Sequence, residues 1–189
     1  MVMATVLSRQ RAPLREHRDD CYDTAAAAVH ALLKCESLPP VIWEPACGIG
    51  NIVGVLRAAG HTVIATDLND RGCPDGQAGI DFLLPPGIFC DAIVTNPPYA
   101  LADRFVATAL DRAPLVIMLL RLAFLESERR TPLLDGGHLA RVHVFANRLP
   151  MMHRAGWDGP RASSAMAFAW FVWERNHQGP AMIDRIRWE

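Results

Sequence analysis

Asn96-Pro97-Pro98-Tyr99 is the stretch of this chain best suited to chemistry, because it ends an apolar run, Ala92-Ile93-Val94-Thr95, that reads as a buried strand. Two successive prolines remove two backbone N–H donors and fix the chain locally, so the carbonyls of the turn point outward with no helix or ladder to consume them. An amide and a phenol flank them. The set offers two acceptors for an amino group and a ring on which a planar group can stack, which is what methyl transfer to a conjugated nitrogen requires. The same residues also suit an ordinary strand-to-helix turn, since Asn-Pro dipeptides mark loops. The rest of the chain decides between the two.

Glu44-Pro45-Ala46-Cys47-Gly48-Ile49-Gly50 ends another apolar run and opens a helix. Glycines there let a ligand press against the backbone, and helix N-termini prefer groups that accept hydrogen bonds. Asp67 ends the next strand, 17 residues after Gly50, where an acidic side chain can take both hydroxyls of a ribose. Taken alone it serves equally as a turn or cap residue. Asp81-Phe82 ends what reads as a third strand and suits an adenine's amino group and ring face. In order and spacing these strand ends assemble one pocket.

Periodicity and punctuation predict the elements that position these groups. Residues 1–19 form a polar, charged arm, Thr24 caps a helix over 25–34, and Pro39-Pro40 closes the connection. A strand over 41–45 is followed by a glycine turn, a helix over 51–59 that stops at Gly60, and a strand over 61–66. The Gly-, Asp- and Pro-rich residues 69–79 read as loop. Beyond them come a strand over 89–95, a helix over 101–112, a wholly apolar strand over 115–122 and a short helix over 127–134. Two last strands, over 141–146 and 165–173, form an antiparallel pair on the sheet's edge, with Trp170 and Trp173 packed in the core rather than on a ligand. Alternating strands and helices indicate an α/β fold with a parallel sheet covered on both faces, whose ligands sit at the carboxyl ends of the strands.

The 189 residues, about half of them apolar, suit one core. A net charge of −1 excludes a uniformly basic coat for nucleic acid. The sign is uneven, however: residues 1–120 carry 9 basic and 13 acidic side chains, and residues 121–189 carry 10 and 7. The C-terminal third is the better face for a polyanion. Cys21, Cys35, Cys47, Cys73 and Cys90 are odd in number with no C-x-x-C pair, which fits reduced thiols and an intracellular, cytoplasmic location. The first 18 residues lack the apolar core of a signal peptide, and no apolar run is long enough to span a bilayer.

From about residue 20 to 175 the chain resembles the class I S-adenosylmethionine-dependent methyltransferases, and in its Asn-Pro-Pro-Tyr motif the amino-methylating DNA enzymes. Small adenine-N6 methyltransferases of phage and prophage origin are the nearest likeness, including the stretch Arg148-Leu149-Pro150-Met151. The resemblance implies a doubly wound, Rossmann-like, seven-stranded sheet whose last strand is antiparallel, in a single methyltransferase domain over residues 20–189. It implies S-adenosylmethionine as cofactor and no metal. Glu44, Ala46, Gly48 and Gly50 would lie near its methionine part, Asp67 on the ribose and Asp81 with Phe82 around the adenine, with Thr24 a looser match at the methionine carboxylate and Asn96 beside the transferred methyl.

The acceptor implied is the exocyclic amine of adenine, held by the Asn96 side chain and the Pro97 carbonyl with Tyr99 stacked on the base. A duplex substrate would need its base flipped. The loop 148–161, with Arg148, His153, Arg154, Trp157 and Arg161, is the candidate contact to phosphates or the vacated stack, and is equally readable as a plain surface loop. DNA is favoured over RNA as partner, with no membrane and no oligomeric state implied. Adenine in structured RNA and a protein glutamine amide are the competing substrates. A helical domain ahead of the cofactor fold, expected of the glutamine enzymes, has no room in the roughly 40 residues before the first strand. A non-catalytic binding module is expected to lose residues 96–99, which this chain retains.

Overall fold

Apolar runs without polar interruption become strands buried on both faces, and helical runs with apolar residues at every third or fourth position cover them. The computed structural model describes residues 23–85, 88–149 and 166–188. In chain order these form α1 (Ala26–Cys35), β1 (Val41–Glu44), α2 (Asn51–Ala58), β2 (Thr62–Asp67), β3 (Gln77–Ala78), β4 (Ala92–Thr95), α3 (Ala102–Arg112), β5 (Leu115–Arg121), α4 (Thr131–Leu134), β6 (Leu139–Phe145), β7 (Phe168–Glu174) and β8 (Met182–Ile186). The sheet order is β3-β2-β1-β4-β5-β7-β6-β8. Only β7 runs against its neighbours, antiparallel to both β5 and β6.

Successive side chains of β5 point to opposite faces. Ile117 and Leu119 join the layer under α1 and α2, where Ile42, Val63, Trp170 and Val172 also lie. Val116, Met118 and Leu120 face α3 with Trp43, Ile93, Phe171 and Trp173. Buried Ala102, Phe105, Val106 and Ala109 give α3 one apolar stripe, so its ends are fixed against the sheet. Trp170 and Trp173 are fully buried, as core packing requires.

The sheet departs from expectation in several places. It has eight strands rather than seven, because Met182–Ile186 adds a parallel edge beside β6. That strand is held by backbone pairing while Met182 and Ile183 stand 64% and 68% exposed, so no burial pattern announces it. The antiparallel strand β7 is therefore neither last in the chain nor on the edge; it is wedged between β5 and β6. The span 69–79 contains β3, whose two exposed residues pair Thr66 and Asp67. Asp81-Phe82 lies in the turn after β3 rather than at a strand's end. Thr24 is not the helix cap; that position belongs to Ala25, with no side-chain bond. The helix expected over 127–134 breaks into a 3₁₀ turn, Glu128–Arg130, and the single turn α4, preceded by Ser127 at φ 104°. The arm over residues 1–19 lies outside the described residues. Among the described residues no helix is long and apolar enough to cross a membrane.

Where α1 meets the last strands, Glu36 accepts hydrogen bonds from Arg141 Nε (2.6 Å) and Nη2 (3.0 Å), and its Oε1 lies 2.7 Å from His143 Nε2. Arg141 also reaches Glu174. Burial of Glu36 is outweighed by its hydrogen bonds from His143 and Arg141, which hold its carboxyl below the usual value. The Cys35 thiol and the Glu36 carboxylate push His143 up to about 9. A folded-state value above the unfolded one gives stabilisation that is complete below the unfolded value and lost as pH rises through the folded one. The stability penalty of His143→Gln, read as a melting-temperature difference from wild type, should therefore be largest near pH 6 and shrink toward pH 9. A difference independent of pH would show that His143 is not charged in the folded protein.

Candidate active site

Burying a carboxyl group without a cation beside it keeps it protonated. At the end of β1, Glu44 is fully buried. Its Oε1 accepts a hydrogen bond from the Thr95 hydroxyl at the end of β4 (2.6 Å) and one from the Ala46 N–H (3.3 Å). Its Oε2 is buried with no partner among the described residues. Burial pushes the group up to about 8 against the Thr95 and Ala46 hydrogen bonds, and the Asp67 carboxylate adds to the rise. At neutral pH Glu44 is chiefly a neutral acid.

The chain leaving β1 turns on Gly48 (φ 55°) and Gly50 (φ 91°), and a Cβ on Gly50 would stand 3.0 Å from Cys73 Sγ. Only glycine meets both demands without strain. Asp67 ties this turn to β2: its Oδ2 accepts the Gly48 N–H and its Oδ1 the Asn69 N–H, each at 3.0 Å. Arg71 stands 3.7 Å from the same carboxylate. The loop also brings Cys47 toward Cys73; burial first, then that neighbouring thiol, raise the Cys47 thiol far above its usual range. The described cysteines are free thiols.

A cavity of about 430 Å³ opens at the carboxyl ends of the central strands, lined by Pro45 and Ala46 after β1, Asp67 on β2, Asp81 and Phe82 after β3, and Asn96 and Pro98 after β4. A smaller recess of about 30 Å³ is lined by Asp23, Thr24, Ala46, Gly48, Asn51 and Asn96. Ala46 and Asn96 belong to both, so the two spaces meet beside them. Thr24 is held there by its carbonyl, which accepts the Asn51 Nδ2 hydrogen bond (3.0 Å).

The turn carrying Asp81 is closed by its own Oδ1, which accepts the Leu83 N–H at 2.9 Å. Arg112, at the end of α3, donates to the Phe82 carbonyl (2.5 Å) and the Leu84 carbonyl (2.9 Å), and its guanidinium lies 4.9 Å from the Phe82 ring centre. Phe82 also meets Trp43 edge-on at 5.1 Å and Phe105 at 4.8 Å. It is a fixed, almost wholly buried piece of cavity wall rather than an open stacking platform.

Beyond β4, Pro97 is buried, and Tyr99 begins a 3₁₀ turn that leads into α3. The Tyr99 ring meets Phe168 of β7 at 5.8 Å, tilted 40°, and the Arg121 guanidinium lies 4.6 Å above it. Tyr99 therefore faces β5 and β7, on the side of the corner away from Asp81 and Phe82.

Every expected residue from Thr24 to Tyr99 thus gathers at one end of the sheet. Arg148 is exposed beyond the carboxyl end of β6, at that same end, with its carbonyl accepting the Trp188 indole N–H (3.2 Å). His153, Arg154, Trp157 and Arg161 lie outside the described residues. Arg71, Arg104, Arg112 and Arg121 surround the site and were not foreseen, since isolated arginines in helices and strands carry no local signal of where they converge.

No protein-family model matches the sequence, and no curated protein matches it. Solved structures do share its fold. The complex Mtq2–Trm112 of E. cuniculi, responsible for methylation of the translation termination factor eRF1, matches with a TM-score of 0.59 at 20% identity over 83% of this chain and 99% of that one. A protein described as a modification subunit of a type I restriction enzyme from Vibrio vulnificus YJ016 matches at 0.60 with 13% identity, over 91% of this chain and 49% of that one. One described as an RNA methyltransferase from Pyrococcus horikoshii matches at 0.57 with 12% identity, over 79% and 80%. A protein described as a class I S-adenosylmethionine-dependent methyltransferase from Listeria monocytogenes shares the fold as well, with a TM-score of 0.56 at 11% identity over 84% of this chain and 62% of that one.

The buried acid at the β1 end sets a measurable trend. Because its folded-state value stands at about 8 against an ordinary 4.5, Glu44 costs the ligand-free protein progressively more stability as pH rises between them. Glu44→Gln should therefore gain on wild type in melting temperature across that interval and level off above it. A constant difference would mean that Glu44 is ionised throughout.

Proposed function

We propose that this chain is an S-adenosylmethionine-dependent N-methyltransferase acting on the exocyclic amine of adenine in nucleic acid, DNA before RNA, of the small phage and prophage kind. Residues 20–189 would form one methyltransferase domain behind an N-terminal arm. The observation that carries this reading is the junction at Ala46 and Asn96, where a nucleoside-sized cavity and a narrow recess open into each other. A cofactor with a nucleoside at one end, an amino acid at the other and a sulfonium between them has that outline.

The residues present fit such a ligand. Asp67 retains acceptor capacity beyond its two backbone amides, since a carboxylate offers about four lone-pair sites, and can take ribose hydroxyls. Asp81 and Phe82 bound the base end, Thr24 and Gly48 the amino-acid end, with Gly50 shaping the turn behind them. Glu44 lies buried beneath the glycine turn and lines neither space, and would act there by bracing the turn through the Ala46 N–H. When bound, the cofactor supplies an activated methyl group on sulfur.

The rest of the work falls to the proline corner. An adenine amine is a poor nucleophile because its lone pair is conjugated into the ring, so accepting its two hydrogens at Asn96 and at the Pro97 carbonyl favours a pyramidal nitrogen aimed at the methyl group. Proline at 97 and 98 removes two N–H groups that would otherwise compete for those acceptors. Tyr99 would hold the base, and Arg148 with the segment around His153, Arg154, Trp157 and Arg161 would contact phosphates.

A protein amide is the second reading, because its nitrogen is likewise conjugated and the matched chain of the E. cuniculi complex is spanned almost completely.

Incubation with methyl-labelled S-adenosylmethionine and separate pools of duplex DNA, single-stranded DNA, RNA and protein, followed by nucleoside and amino-acid analysis, tests the proposal. Label in N6-methyladenine supports it; label confined to protein selects the second reading, and no transfer to any pool refutes both. Asn96→Ala should lower turnover about 100-fold or more while cofactor affinity changes little. Asp67→Asn should weaken cofactor binding by about 1.5–3 kcal/mol, measured by calorimetry. Wild-type behaviour of both variants would remove the assigned site.

A further inference from the structure

Arg121 is the last residue of β5, and its guanidinium rests on the ring of Tyr99 in the proline corner, 4.6 Å from the ring centre. The cation is half-buried, and its Nε is buried without a hydrogen-bond acceptor among the described residues. Of the arginines around the site, Arg71 is matched by the Asp67 carboxylate and Arg112 by the Phe82 and Leu84 carbonyls, while Arg104 is exposed at the cavity rim. Arg121 takes part in no such ion pair among the described residues. A ring face attracts a cation but offers no lone pair for its N–H groups.

The position of Arg121 is set rather than adjustable. Its backbone pairs Phe168 across the β5–β7 ladder, and Phe168 packs on Tyr99 as well. The segment that follows is clamped by Arg130, which donates to the carbonyls of Ala123, Phe124 and Glu126 and to Asp103. A guanidinium so placed lacks, among the described residues, an anion that can accept two parallel N–H bonds, and phosphate meets that geometry.

We propose that Arg121 reads a backbone phosphate of the nucleotide presented to Asn96–Tyr99, and is thereby the residue that selects a polynucleotide over a peptide at this site. The inference rests on the reading of Asn96–Tyr99 as the acceptor corner. It adds that the charge on the substrate, and not only its amine, is recognised there. The Tyr99 ring carries the guanidinium, and Arg121 supplies the charge.

The test is the salt dependence of binding of a fluorescent single-stranded oligonucleotide, followed by anisotropy, to wild type, Arg121→Gln and Arg121→Lys. Gln keeps the stem and loses the charge; Lys keeps the charge and loses the planar fork. Arg121→Gln should bind about tenfold more weakly at low salt, with its salt slope reduced by about 0.7, the value of one phosphate contact to a single strand. Arg121→Lys should keep the slope. Calorimetric affinity for S-adenosylmethionine should be unchanged in both, which also reports that they fold. An oligonucleotide slope in Arg121→Gln equal to wild type overturns the role of Arg121 while leaving the methyltransferase reading intact. Wild type that binds no polynucleotide and labels only protein overturns the substrate reading and this inference together.

Discussion

The carboxylate of Asp67 is the interaction on which the site depends. By accepting the Gly48 and Asn69 amides, it fixes the turn after β1 against the turn after β2, beside the backbone bond from the Cys47 N–H to the Thr66 carbonyl. Charge-assisted bonds of this kind are roughly twice as strong as neutral ones. The glycine turn, the recess lined by Thr24 and the wall of the larger cavity all take their positions from that junction. Parallel strands make it possible, because they deliver their carboxyl ends, and so their loops, to one side of the sheet.

A second pair of contacts holds the far wall. Thr95 on β4 donates to Glu44 on β1, so adjacent strand ends are bonded by side chains as well as by the ladder. Arg112 reaches from α3 to the carbonyls after β3. Since α3 follows directly from the Asn96–Tyr99 corner, one helix braces the corner at its beginning and the cavity wall at its end. These contacts join segments far apart in sequence into one rigid frame.

The central elements were legible because their residues carry unambiguous periods: residues 115–120 are apolar throughout, and Ala102, Phe105, Val106 and Ala109 mark one face of a helix. Ala46, Gly48, Asp67 and Asn96 could be picked out as candidate site residues because each stands at or just beyond the end of an apolar run. What escaped notice lacks a local mark. Gln77-Ala78 and Met182–Ile186 are strands by virtue of what they pair with, not of what they bury. Ala25 rather than Thr24 caps α1, without a side-chain bond, while the Thr24 carbonyl accepts a hydrogen bond from Asn51. The arginines at 71, 112 and 121 are distant in sequence and acquire meaning only when the sheet brings them to one rim.

The insertion of β7 between β5 and β6 has a bearing on how the molecule opens. Within the sheet β6 and β8 reach the remaining strands solely through β7, supplemented by the Glu36 contacts with Arg141 and His143. Fluctuations that detach β8 or β6 leave the larger half of the sheet whole, whereas any excursion that frees β7 severs both of them at once. The ladder from Leu115↔Glu174 to Arg121↔Phe168 is thus the seam along which cooperative unfolding divides the protein, and amide protection in the outer strands has that seam as its ceiling.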